Sequence, residues 1–354
     1  MTDPRAAASA EVARSEELDL AGQHAAALAQ LVAGVHKQDI EATTRLGKRL
    51  LMGDRAPHKP GDGASLLADA SKLGGAEAAA IYATLLVISA PGKPELESAL
   101  ITSLVLAAER GWSAAQDQIR VLAGIEPNSA EFAAPRGDWR RLGNSIDIAV
   151  WHSVPTIHNL HEQPRVCSLP SFAHPAVCQW LIKRARGRLE RAHVYNAVTR
   201  QNTVHQTRTN TAALFNLLET DCVLALVQHK IAHCLNLSFR HLEPAAVLHY
   251  DVGEEIRPHF DFVDPNVPNY TDEIAQRGQR IVTFLLYLNE DYGDGQTDFP
   301  RLGVSNKGRL GEGLYFINAL EDGKADIRTL HAGRPPSSGE KWIVSQFVRN
   351  RPLF

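Results

Sequence analysis

The stretch AAVLHYDVGEEIRPHFDF, residues 245–262, decides how this chain is read. AAVLHYDV has the β-branched and aromatic content of a strand, and RPHFDF places His259 and Asp261 two residues apart. On a strand, residues i and i+2 share a face, so an imidazole and a carboxylate would project together. A second imidazole from a distant strand would complete two histidines and one carboxylate on one side of a metal. That set suits non-haem Fe(II) and leaves three coordination positions open. Taken alone, the pair is weak evidence, and the favoured reading is two polar residues on an exposed strand.

Three further residues bear on that choice. His331, in TLHAGRP, follows a strand-like run 72 residues after His259. Lys341 comes ten residues later and opens the apolar strand KWIVSQFV. An ammonium buried there needs an anionic partner, which a dicarboxylate would supply. Tyr250 lies nine residues before His259 on the preceding strand, as a second donor to that carboxylate. Alternation sends its neighbour His249 to the opposite face.

Together, Tyr250-x8-His259-x-Asp261, RIVTFLLYLNEDYGDGQTDFP (280–300) and LHAGRPPSSGEKW (330–342) closely resemble the prolyl 4-hydroxylase branch of the 2-oxoglutarate- and Fe(II)-dependent dioxygenases. The resemblance covers roughly residues 164–354. It implies that His259, Asp261 and His331 hold iron and are the catalytic centre. It implies that Lys341 binds the far carboxylate of 2-oxoglutarate, with Tyr250 beside it and Tyr287 and Thr297 lining the same pocket. Arg208, in QTRTNTA, matches a family arginine and is assigned to substrate contact or to packing. Fe(II), 2-oxoglutarate and O2 are the implied cofactor and cosubstrates, with ascorbate as an optional reductant. The aspartate at 261 favours hydroxylation over halogenation, because halogenases of the superfamily carry Gly or Ala there. The family's glycine-pair turn appears one residue wider, as Gly293-Asp294-Gly295. The long polar loop 264–279 offers no residue that ties it to proline recognition.

Outward from this core, the chain changes grammar. At 354 residues, 44% hydrophobic and 22% charged, it has the length of about two ordinary globular domains. Residues 18–125 are rich in Ala and Leu at helical spacing. ADASKLGGAEAA (68–79) and AAERGWSAAQ (107–116) share a frame in which Ala70, Gly74 and Ala78 recur as Ala107, Gly111 and Ala115. Small residues let paired helices approach, and the glycines can end a helix in the left-handed conformation. This segment resembles Sel1-like repeats, relatives of the tetratricopeptide repeat, and the alternative is a plain Ala-rich bundle. Helices are expected over 174–192 and 220–235, and short strands from residue 243 onward, the pattern of a barrel or two-sheet sandwich. The expected architecture is α+β with two domains. An all-α helical-repeat domain spans 1–135, a junction 136–160, and a double-stranded β-helix (jelly-roll) domain with supporting helices 161–354.

A net charge of −3 gives no electrostatic reason to expect nucleic acid. The basic run Arg184, Arg186, Arg188 and Arg191 reads as a solvated helix face. Cys167, Cys178, Cys222 and Cys234 form no CxxC pair and read as buried thiols of a reducing compartment. The polar N-terminus has no apolar export core, and no window is long enough to cross a bilayer, so a cytoplasmic protein is expected. His229, His233, His241, His249, Glu243 and Asn318 read as structural, and Trp342 as facing the core. The leading expectation is an enzyme hydroxylating a prolyl residue of a peptide or protein, with the helical repeats offering a surface to a protein partner. The alternatives are the same chemistry on another side chain, a free amino acid or a small metabolite, and a repeat adaptor with a silent barrel. A zinc hydrolase could use the same triad, but gives no role to Lys341 or Tyr250.

Overall fold

The computed structural model describes residues 9–89, 94–133, 137–191, 193–196, 201–204, 208–267, 270–320 and 323–353. The first eight residues, part of the N-terminal stretch read above for an export signal, lie outside them. So do Pro268 and Asn269 of the long polar loop. The chain divides into a helical unit, drawn from 1–123, 130–148 and 217–225, and a β unit, drawn from 124–129, 149–216 and 226–354.

The helical unit is built from the helices Ala10–Leu20, His24–His36, Ile40–Met52, Pro60–Lys72, Ala76–Ser89, Pro94–Glu109 and Ser113–Leu122. Each packs on the next in sequence, the arrangement of a one-dimensional stack. Local chemistry sets the ends. The Asp39 carboxylate accepts from the backbone N–H of Glu41 and Ala42, capping the third helix. Gly74 and Gly111, at φ 113° and 87°, occupy the left-handed region that a Cβ disfavours and follow their helices at equivalent frame positions. Ala70, Ala78, Ala107 and Ala115 are all fully buried, so the small-residue frame is the helix contact itself. A Cβ on Gly63 would lie 2.7 Å from the Gly47 carbonyl oxygen, which shows how closely the third and fourth helices approach. Among the described residues, no helix is long and apolar enough to cross a membrane.

The β unit holds an eight-stranded antiparallel sheet in the spatial order His158–His161, Val166–Leu169, Gly313–Ile317, Arg280–Tyr287, Lys341–Arg349, Ala245–Tyr250, Thr211–Phe215, Glu190–Arg191. A four-stranded sheet runs Val304–Asn306, Thr297–Phe299, His331–Gly333, Ile256–His259. One apolar core draws on both sheets: Val166, Leu248, Leu285, Leu314, Phe316 and Ile343 from the large one, Ile256 and Phe299 from the small one. This is a jelly roll with helices packed on one sheet. The helix Pro175–Arg186 lies against the strands Thr211–Phe215 and Ala245–Tyr250.

Several sequence expectations are corrected. The helix expected over 174–192 stops at Arg186, where Gly187 caps it, and Glu190–Arg191 pairs as a strand. The basic run is therefore not one solvated face. The Arg186 guanidinium lies 4.9 Å over the Trp342 ring, and that of Arg188 lies 4.7 Å over Phe215. The polar loop 264–279 contains a helix, Tyr270–Arg277, with Asp272 and Glu273 in its first turn and Arg277 in its last, as the helix dipole favours. His331 opens a strand and follows the 3-10 turn Ile327–Thr329, not a strand.

Glu243, read from sequence as structural, anchors that helix to the barrel. Its carboxylate accepts from Arg280 at 2.7 and 2.8 Å and from the fully buried Arg349 at 2.5 Å. Arg349 reaches onward to Glu273 and to the Gly278 carbonyl, both at 2.5 Å. Burial alone would raise the Glu243 carboxyl, but Arg280 and Arg349 hold it below its ordinary value. Glu243→Gln leaves Arg349 buried with only part of its compensation, so the β unit is expected to lose about 3 kcal/mol. A denaturant titration followed by tryptophan fluorescence measures the loss, and an unmoved midpoint contradicts it.

Candidate metal centre

Strand register assembles the site. In the small sheet His331 pairs directly with His259, so two imidazoles from distant segments meet with ring centroids 4.3 Å apart. Asp261 lies just past the end of its strand, because Ile256–His259 stops at the histidine. Strand alternation therefore is not what aims Asp261, yet its carboxylate reaches both rings. Oδ1 is 3.4 Å from His259 Nε2, and Oδ2 is 3.2 Å from His331 Nε2. The ligand atoms of the three residues all lie within 4.8 Å of one another.

The protonation geometry is also set. His259 Nδ1 lies 2.9 Å from the Arg257 carbonyl, and His331 Nδ1 lies 3.0 Å from the Thr329 carbonyl. A carbonyl only accepts, so each Nδ1 carries a hydrogen and each Nε2 is turned to the centre. The carboxylate has its own support: buried Thr283 donates to Asp261 Oδ2 at 2.8 Å, and buried Asn318 Nδ2 donates to Thr283 Oγ1 at 2.9 Å. Burial would raise the Asp261 carboxyl, but His331 and His259 beside it hold it well below the carboxylate range. Burial likewise opposes charge on His331, and Asp261 lifts it above the ordinary histidine value nonetheless. Phe316 and Phe299 pack on the His331 ring at 4.6 and 5.5 Å, forming an apolar wall. His259, with a third of its side chain exposed, is the open member.

In the large sheet Lys341 pairs directly with Tyr250. Lys341 is fully buried, and among the described residues its Nζ has no hydrogen-bond partner. It lies 5.0 Å over the Tyr250 ring and 5.9 Å from the centre of the Tyr287 ring. Burial lowers its pKa from 10.5 to about 7. Tyr287 donates to Thr297 Oγ1 at 2.8 Å, and burial pushes its phenol up to about 12. Burial raises Tyr250 as well. Arg208 lies at the edge of the strand that ends in His259, where its charge offsets part of the effect of burial on Tyr250. Its backbone bridges Ile256, and its Nε donates to Asn210 at 3.1 Å.

The donor set fits the implied group. Two imidazole nitrogens and a carboxylate converge as a redox-active divalent metal requires, and a stranded ammonium marks where an anion belongs. Thr283 and Asn318 could not be recognised as part of the site from sequence, because their tie to Asp261 exists only through sheet packing.

Residues 245–349 match the family model of the 2OG-Fe(II) oxygenase superfamily. That span contains every residue assigned above to metal or cosubstrate. The chain is 30% identical over 207 residues to the probable prolyl 4-hydroxylase 9 of Arabidopsis thaliana, covering 53% of this chain and 70% of the plant protein. It is 29% identical over 190 residues to the prolyl 4-hydroxylase subunit alpha-1 of Rattus norvegicus, covering 54% of this chain and 35% of the rat subunit. Among solved structures, the 2OG complex of the viral collagen prolyl hydroxylase from Paramecium Bursaria Chlorella virus-1 is similar at 26% identity and TM-score 0.41, over 52% of this chain and 95% of that one.

Thr283→Val keeps the side-chain volume and removes the hydroxyl that holds Asp261. A support of this kind typically accounts for about 10–100-fold in metal affinity. Calorimetric titration with Mn2+ is expected to show that loss, with circular dichroism confirming that the variant is folded. Unaltered affinity would remove Thr283 from the site.

Proposed function

The chain belongs to the prolyl 4-hydroxylase family of 2-oxoglutarate- and Fe(II)-dependent oxygenases, and on that footing we propose that it hydroxylates a prolyl residue of a peptide or protein. Its cofactor and cosubstrates are Fe(II), 2-oxoglutarate and O2. The observation that carries the reading is the convergence of His259 and His331, paired in one sheet, with Asp261 just beyond its strand end, together with Lys341 and Tyr250, paired on adjacent strands of the other sheet.

In this reading the Nε2 atoms of His259 and His331 and the Asp261 carboxylate hold the iron. When bound, the iron supplies the oxidation that couples decarboxylation of 2-oxoglutarate to hydroxylation of a substrate C–H bond. Lys341 Nζ receives the far carboxylate of 2-oxoglutarate in a charge-assisted hydrogen bond, with the Tyr250 ring against it. The Tyr287–Thr297 hydrogen bond fixes the wall beside Lys341. Phe299, Phe316 and Ile343 keep water from the interior, which strengthens each of these contacts. His259 faces the exposed side, from which a peptide would enter. Arg208, on the adjoining strand edge, is assigned to that peptide. The helical stack is read as a second surface for a protein partner.

The test of substrate class incubates the full chain with Fe(II), 2-oxoglutarate and a proline-containing peptide library. Mass spectrometry is expected to find one added oxygen on proline, in proportion to the succinate released. Succinate release driven by free amino acids or other side chains, with proline unmodified, would overturn the prolyl assignment.

A second expectation concerns pH. In the empty site Lys341 is largely neutral above about pH 7, while the carboxylate it receives needs the ammonium. Its folded pKa lies below the unfolded value near 10.5, so charging it costs the ligand-free fold stability as pH falls from about 10 toward 7. A bound carboxylate reverses that cost. At saturating Mn2+, affinity for 2-oxoglutarate is therefore expected to fall above about pH 7, by up to roughly tenfold per unit, with a proton taken up on binding. Calorimetry in buffers of different ionisation enthalpy measures the uptake. Lys341→Ala should bind weakly and show no such pH dependence, and a wild-type affinity flat across this range would contradict the assignment.

A further inference from the structure

The turn joining the strands Ala245–Tyr250 and Ile256–His259 carries a second convergence of metal-ligating groups, on the face of the strand opposite Tyr250. His249 is 7% exposed, its ring against Trp342 at a centroid distance of 4.2 Å and its Nδ1 3.1 Å from Thr211 Oγ1. Its Nε2 is closed off from solvent and has no hydrogen-bond partner among the described residues. That nitrogen is aimed at two carboxylates, Asp251 Oδ1 and Glu340 Oε2, each 3.7 Å away. Glu254 brings a third: the ligand atoms of His249, Asp251 and Glu254 all lie within 4.8 Å of one another.

The spacing discriminates between two readings. At 3.7 Å the imidazole is too far from either oxygen for a hydrogen bond. Donors that share one cation at about 2.0–2.2 Å stand roughly 3–4 Å apart, which is the spacing of His249 Nε2 from Asp251 Oδ1, and Glu254 lies within 4.8 Å of both. The carboxylates are not equivalent. Glu340 Oε2 already accepts from Trp342 Nε1 and from Arg186 Nη2, both at 3.0 Å, so its charge is taken up by the guanidinium. Glu254 Oε2 accepts from the backbone N–H of Asp251 at 3.1 Å, which folds its carboxylate back over the turn. The turn itself depends on Gly253, at φ 82°.

We propose that His249, Asp251 and Glu254 form a second divalent-cation site, outside the barrel and separate from His259, Asp261 and His331. One imidazole and two carboxylates suit a borderline ion of the Zn2+ or Mn2+ kind, with water in the remaining positions. Such an ion satisfies the stranded Nε2 and braces the turn between Tyr250 and the strand that ends in His259.

Co2+ is the probe, titrated calorimetrically into the full chain. Two equivalents are expected for the wild type, and one for Asp261→Ala/His331→Ala, in which the inner site is removed. Asp251→Asn/Glu254→Gln alters the less buried ligands and spares the packed His249 ring, so folding is expected to survive, with circular dichroism as the check. In the wild-type background this pair should reduce two equivalents to one. Added to the inner-site variant, it should weaken the remaining equivalent at least about tenfold. The proposal is overturned if the wild type takes up a single equivalent, or if the second equivalent persists with unchanged affinity in the Asp251→Asn/Glu254→Gln pair.

Discussion

A lysine held inside an apolar barrel with no hydrogen-bond partner among the described residues is the constraint around which this structure is organised. Lys341 opens a nine-residue strand at the middle of the large sheet, and register places it directly opposite Tyr250. Neither tyrosine ring nearby neutralises it, and burial alone draws its pKa toward 7. A fold retains such a group when a ligand completes it. In the proposed function, the dicarboxylate received there and the metal held by the His-Asp-His cluster would be two ends of one cosubstrate site, which would account for the use of both sheets to build it.

The metal end depends on backbone geometry rather than on side-chain length. The pairing of His331 with His259 brings the rings together, and two carbonyls hold both histidines in the tautomer that turns Nε2 inward. The carboxylate sits beyond the strand end, where alternation no longer directs it, and the Asn318–Thr283 chain takes over that task. Each ligand is thus oriented by a hydrogen bond from an element that the barrel already holds in place.

The legible and the illegible parts of the site divide along this line. His259, Asp261, His331, Lys341 and Tyr250 were readable because their order and spacing resemble a family pattern, and the strand around Lys341 showed that the ammonium would be buried. Thr283 and Asn318 were not, since a threonine in RIVTFLLY and an asparagine after GLYFI are unremarkable until the sheet brings them to Asp261. The end of the helix at Arg186 was missed because a run of arginines continues the polar pattern, while Gly187 and the pairing of Glu190–Arg191 decide otherwise. His249 was correctly placed on the outer face by alternation. Its convergence with Asp251 and Glu254 depends on the turn at Gly253, which leaves little trace in hydrophobic pattern.

The account rests on Lys341 and the three ligands serving one bound cosubstrate. A crystal structure of the full chain grown with Mn2+ and 2-oxoglutarate tests this most directly. The expected result is one ion held by His259, Asp261 and His331, with a single 2-oxoglutarate reaching from that ion to a carboxylate on Lys341 Nζ. A 2-oxoglutarate bound elsewhere, or bound at the ion with Lys341 Nζ still lacking an anionic partner, would contradict it.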